Sequence, residues 1–169
     1  MTMIHIASQT LSSNGFFSFT SIPQTFTHLQ FRFTGQVYVA SGTGVAGLYI
    51  GANGDSNMKG SHYLYGNGSS AISSYDSISS IAVTNYGIAN TPGVAVIDIL
   101  DYTNTNKNKT LKSLYGYDAN GSGWVGLNST LYLSTTAISS LTLTGGGANI
   151  LSGARCDLYG ITTSQVTGA

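Results

Sequence analysis

Three histidines, six aspartates and one cysteine carry most of the reactive side chains of this sequence, and no glutamate accompanies them. A nucleophile needs a neighbouring base that a third group holds in place. His5 alternates with Ile4 and Ile6, His28 lies on the polar side of the most regular stretch, and His62 sits beside Tyr63 and Tyr65. Each therefore reads as a surface or strand-edge ring. Glycoside cleavage needs two opposed carboxylates, whereas Asp98 and Asp101, three apart on one strand, would face opposite sides. Cys156 shares a strand face with Leu158 and reads as a small buried hydrophobe; alone, it cannot form an internal bridge, and no Cys/His spacing suggests zinc.

Three loops imitate ligand motifs. Gly42-Thr-Gly44-Val-Ala-Gly47 matches the dinucleotide fingerprint in letters, but Leu48-Tyr49-Ile50 continues it as a strand where a helix N-terminus is required. Asp118-Ala-Asn120-Gly-Ser122-Gly123 resembles the first half of a calcium loop, yet Ser129 stands where the bidentate carboxylate belongs. Asn53-Gly-Asp55-Ser-Asn57 has the same deficit, and both read as Asx turns. No metal or other cofactor is expected, and no enzymatic activity.

The elements that must position these residues are strands. From His28 to Val39, Leu29, Phe31, Phe33, Val37 and Val39 share one face while His28, Gln30, Arg32, Thr34, Gln36 and Tyr38 share the other. Gly35 interrupts the apolar row, as at a bulge or a close backbone approach. Similar short runs at 4–9, 16–20, 47–51, 62–65, 80–84, 94–102, 110–117, 130–134, 140–144 and 155–161 bring the strands to roughly ten to twelve, divided by Asn-Gly and Gly-rich turns. A helix over 69–80, suggested by Ile72, Tyr75 and Ile78, is the weaker reading. The expected fold is all-β: a two-sheet antiparallel sandwich of jelly-roll type with little or no helix, one domain over 1–161 and a tail over 162–169.

Composition narrows the partners. Six cations balance six acids in 169 residues, too few for the basic stripe that nucleic acid requires. No run approaches the eighteen apolar residues of a membrane helix, so neither nucleic acid nor a membrane is an expected partner. Three of the four lysines cluster in DILDYTNTNKNKTLKSLYGYD, Asp98 to Asp118. There TNTNKNK, Thr103 to Lys109, reads as the solvated end of a hairpin; its functional alternative is a docking loop using Asn104, Asn106, Lys107 and Lys109. Ile4 and Ile6, near the chain start, are candidates for a strand that meets a partner. Trp124, Tyr63 and Tyr65 are candidates for stacking on a sugar ring.

Four segments, IPQTFTHLQFRF, SHYLYGNGSS, VIDILDYTNTNKNKTLKSLYGYD and AISSLTLTGGGANILSGARCDLYGI, together resemble a family of virion structural proteins of tailed bacteriophages. Arg155-Cys156-Asp157 departs from that family's pattern, which favours a more hydrophobic step there. The resemblance implies a jelly-roll, lectin-like sandwich without a catalytic motif, working either as a capsid decoration (cement) protein or as a receptor-binding domain of a tail fibre. Neither heptads nor repeats of a fibre stalk occur in these residues, so the expectation falls on decoration. It implies a homotrimer on the outer capsid surface of the virion, bound to the major capsid protein.

Overall fold

The computed structural model describes residues 1–38, 45–76, 80–85, 90–146 and 149–162. Twelve strands form: β1 (Thr2–Thr10), β2 (Phe17–Phe19), β3 (His28–Gly35), β4 (Val45–Ala52), β5 (Met58–Gly66), β6 (Ala71–Asp76), β7 (Ser80–Asn85), β8 (Gly93–Ile99), β9 (Lys109–Asp118), β10 (Gly123–Tyr132), β11 (Leu141–Gly145) and β12 (Arg155–Thr162). Among the described residues there is no helix. All pairings are antiparallel, in an eight-stranded sheet of order β1-β12-β3-β8-β9-β10-β5-β6 and a four-stranded sheet of order β2-β11-β4-β7. The two pack as a sandwich of jelly-roll type, in which most connections carry the chain from one sheet to the other.

The alternation of β3 does what it implies: Leu29, Phe31 and Phe33 are buried and Arg32 and Thr34 are exposed. Their row continues through Ile97 and Ile99 of β8 and Leu158 and Cys156 of β12, and it packs against Phe17, Phe19, Leu48, Ile50, Leu141 and Leu143 of the smaller sheet. Gly35 ends β3 in regular register with Gly93, so there is no bulge. A side chain there would run into Ala154, whose Cβ lies 2.5 Å from where the new carbon would sit. The backbone approach, not the bulge, is the reason for that glycine.

Two elements differ from the pattern reading. The 69–80 stretch contains strand β6 over Ala71–Asp76; Ile78 and the residues of the 162–169 tail beyond 162 lie outside the described residues. Strand β10 starts at Gly123, seven residues earlier than the 130–134 reading, and so includes Trp124. Its Gly126 obscured it, yet a side chain at Gly126 would strike the ring of Tyr115, its partner on β9.

One end of the sandwich is closed by a polar knot. Asn53 adopts φ +53°, and Gly54 follows at +68°. The Asn53 amide donates to Tyr132 Oη at 3.1 Å and to the Ala137 carbonyl at 3.0 Å, while its Oδ1 accepts from the Ser139 backbone N–H at 2.9 Å. Tyr132, buried in β10, donates onward to Asp55 at 2.7 Å. This single side chain thus ties the end of β4, in one sheet, to β10 in the other. Asn53→Ala removes those bonds and puts a Cβ without a compensating polar group in a left-handed position, so its urea unfolding free energy is expected to fall by about 3 kcal/mol. Asn53→Gly keeps the backbone geometry and is expected to lose about 1 kcal/mol less.

Candidate functional site

Strands β9, β10 and β5 invert the usual rule over part of their length, although Leu111, Tyr115 and Tyr132 still point into the core. Ser113, Asn128, Thr130 and Ser61 point inward and are buried, while Leu114, Val125, Leu127 and Leu64 point outward with 52%, 60%, 47% and 50% of their surface exposed. Register places them in two rows across the large sheet. One runs Val96, Leu114, Leu127, Leu64 and the next runs Val94, Gly116, Val125, Gly66, each over β8, β9, β10 and β5 in order. A shallow trough of about 310 Å³ runs between them, lined by Leu64, Leu114, Val125 and Leu127 with Gly66 and Ala71 at one end. A contiguous aliphatic block of this kind is what a protein contact uses and what a free surface avoids.

Polar groups border the block. The next row holds Asp98, Lys112, Ser129 and His62, with Asp98 3.4 Å from Lys112 Nζ and accepting from Gln30 Nε2 at 2.8 Å. On the β3 and β12 side stand Arg32, whose guanidinium lies 5.1 Å from the centre of the Tyr159 ring, and the Arg155–Asp157 pair at 2.9 Å. The Arg155 guanidinium holds the Asp157 carboxyl below the usual range, against a smaller opposing effect of burial.

The three glycan candidates come together on the inner side of the same sheet, where the smaller sheet no longer covers it. Trp124 stacks on Tyr65 with centroids 4.1 Å apart and an 11° tilt, Tyr63 follows at 5.9 Å from Tyr65, and Tyr117 flanks the indole at 6.5 Å. Beside them a groove of about 360 Å³ is lined by Trp124, Tyr117, Asn67 and Asp118. One face of the indole is already covered by Tyr65, so a saccharide would meet ring edges and the remaining face. Beneath this ledge, burial pushes the Tyr115 phenol up to about 12, helped by the neighbouring phenols of Tyr63, Tyr65 and Tyr117.

The partner-contact candidates divide. Ile4 is exposed on the edge strand β1, whereas Ile6 is half-buried against the core. Asn104 caps Asn106 in an exposed turn at 2.8 Å, and Lys107 Nζ binds Asp101 at 2.5 Å. That turn and the start of β1 share one end of the large sheet: Met3 pairs with Ile161, Ile161 with His28, and His28 Nδ1 accepts the Asp101 N–H at 2.9 Å. Lys109 requires correction. It is the first residue of β9 and only 1% exposed, with Nζ donating to the Thr136 and Ser134 carbonyls at 2.6 and 3.2 Å. Burial lowers its pKa, and it belongs to the interior rather than to a docking loop.

The remaining reactive groups are placed as follows. Asp101 lies past the end of β8, in the turn, and not on the strand with Asp98. His5, Ser8 and Asp157 meet on the surface: Ser8 donates to Asp157, and His5 Nε2 lies 2.7 Å from Ser8 Oγ. Because the Ser8 hydroxyl donates to Asp157, its oxygen faces His5 Nε2 as an acceptor, a different order from a serine that donates to a histidine. Cys156 is buried and its thiol is pushed far up by burial. Asp118 and Asp55 accept the backbone N–H groups of Asn120 and Asn57 at 2.8 and 2.9 Å, as Asx turns do. Among the described residues no three of His, Cys, Asp or Glu gather as a metal site. Gly42 and Gly44 of the fingerprint-like loop lie outside the described residues, and Gly47 is within β4.

Compared with protein-family models, with curated proteins and with solved structures, the chain matches none. Leu64, Leu114, Val125 and Leu127 were not singled out in the sequence; the signal was there in β10, where aliphatics alternate with Gly126, Asn128 and Thr130. Burial of Tyr115 makes stability depend on alkaline pH. A free tyrosine titrates near 10.0 and Tyr115 near 12, so below pH 10 its contribution to stability is complete, and it is lost as pH rises from 10 to 12 because the unfolded chain sheds its proton first. Tyr115→Phe is expected to flatten the fall of the urea midpoint over that window; an unchanged slope counts against the assignment.

Proposed function

We propose that the chain is a non-enzymatic structural protein of a tailed-phage particle, a decoration protein that binds the major capsid protein on the outer surface of the assembled head and stabilises the shell. The observation that carries this reading is the exposed end of the large sheet, where Ile4 of the edge strand β1 and the Asn104–Lys107 turn stand together, and the aliphatic block on the outer face adds a second surface suited to protein contact. It is supported by the resemblance of four segments to virion structural proteins. A decoration protein works by mass action, since binding the shell and not its separated subunits adds the binding free energy to the shell. The end of the large sheet that carries Ile4 and the Asn104–Lys107 turn is the part assigned to the shell.

A receptor-binding role in a tail fibre is the second reading, and the Tyr65–Trp124 ledge is what favours it. The two separate cleanly. Immunogold labelling of intact particles is expected to mark the head, and Ile4→Asp is expected to lower head occupancy about tenfold, the cost of burying one unpaired carboxylate at a contact. Label confined to the tail, together with glycan binding lost in Trp124→Ala, would reverse the assignment.

A further inference from the structure

We propose that the aliphatic block is covered by a second copy of this chain, packed sheet on sheet about a twofold axis that runs along the strands between β9 and β10. This deepens the reading of the block as a protein contact and rests on it.

Such an axis reverses the order of the strands, so β8 lies over the partner copy's β5 and β9 over its β10. The row Val94, Gly116, Val125, Gly66 then meets the same row read backwards. Every valine falls opposite a glycine, and each glycine hollow receives a side chain. The row Val96, Leu114, Leu127, Leu64 meets only aliphatic residues. In the polar row, Asp98 falls opposite His62 of the second copy and Lys112 opposite Ser129, so no like charges are superposed. Self-complementarity of this kind is what an isologous contact requires.

The rim and the size agree. One strand further out, Arg32 of β3 falls opposite Ser73 of β6, a polar border around an apolar centre. The six strands β3, β8, β9, β10, β5 and β6, six to ten residues long at about 3.3 Å per residue and about 4.8 Å apart, offer on the order of 800 Å². A stable interface of standard size buries about that much from each partner. Two sheets packed face to face about 10 Å apart make a pair, so this face joins two copies and not the three that the resemblance implies.

The test uses the hollows. At Gly66 an added Cβ meets only the Ser70 carbonyl, at 3.8 Å, so Gly66→Val fits the isolated chain and should leave its circular dichroism and melting unchanged. In the dimer the new side chain strikes Val94 of the other copy, twice. Sedimentation equilibrium of the purified full chain is expected to give twice 17.6 kDa. Gly66→Val is expected to weaken association about a hundredfold, and adding Val94→Gly in the same chain to recover most of it. A monomeric or trimeric wild type overturns the proposal, as does a Gly66→Val chain that associates normally or a double variant no better than the single one. The outcome is separable from the decoration reading: a monomer that still labels heads removes only the dimer, and a dimer absent from heads removes only the decoration role.

Discussion

A sheet of eight strands about 4.8 Å apart spans about 38 Å, twice what a four-stranded sheet can cover, and this mismatch decides what the rest of the molecule exposes. Where the smaller sheet lies over β12, β3, β8 and β9, the interior is dense with Leu, Ile and Phe. Where cover runs out, at β5 and β6, the inner side chains are Tyr63, Tyr65 and Ile72, partly open to solvent. The aromatic ledge is therefore the unroofed margin of the core. Tyrosine suits that position because its ring packs inward while its hydroxyl stays wet.

The inverted positions lie inside the covered part: Ser113, Asn128, Thr130 and Ser61 of β9, β10 and β5 are buried, and Ser113 donates to the Ile81 carbonyl of β7, which lies over it. Leu111, Tyr115 and Tyr132 of these strands stay in the core, while Leu114, Val125, Leu127 and Leu64 stand on the other side. Burial of aliphatic surface is worth roughly 25 cal/mol per Å², so strands that expose their leucines leave that free energy to be gained in assembly.

How much of this was legible follows from where each signal resides. β3 was legible because both its faces obey one period: Leu29, Phe31 and Phe33 alternate with Gln30, Arg32 and Thr34. β6 was not, because AISSYD at a sheet edge has no buried face to write a pattern. β10 carries a clear alternation, but in reverse phase and broken by Gly126, whose reason is the Tyr115 ring on the neighbouring strand. Lys109 was misread for a similar reason. Its local sequence is polar, and the carbonyls that receive its ammonium belong to Ser134 and Thr136, brought near only by the fold. A trace did exist: Lys109 is in phase with Leu111, Ser113 and Tyr115, all buried. The aromatic cluster was legible as residue types, and the stacking of Trp124 on Tyr65 only through the register of β10 against β5.

Charge explains why association here must depend on shape. The chain holds six cations and six acids, and three of those acids are engaged locally, Asp98 with Lys112, Asp101 with Lys107 and Asp157 with Arg155. Pairs that neutralise each other at 2.5 to 3.4 Å project little field beyond a Debye length of about 8 Å, so long-range steering of a partner is weak. Recognition is left to surfaces that match at contact. The outer face meets that demand by alternating Val94 and Val125 with Gly116 and Gly66, a relief that rejects a flat partner and admits its own reverse. A neutral protein that assembles in this way is held by desolvation of aliphatic surface, which salts such as sulfate and phosphate strengthen rather than screen.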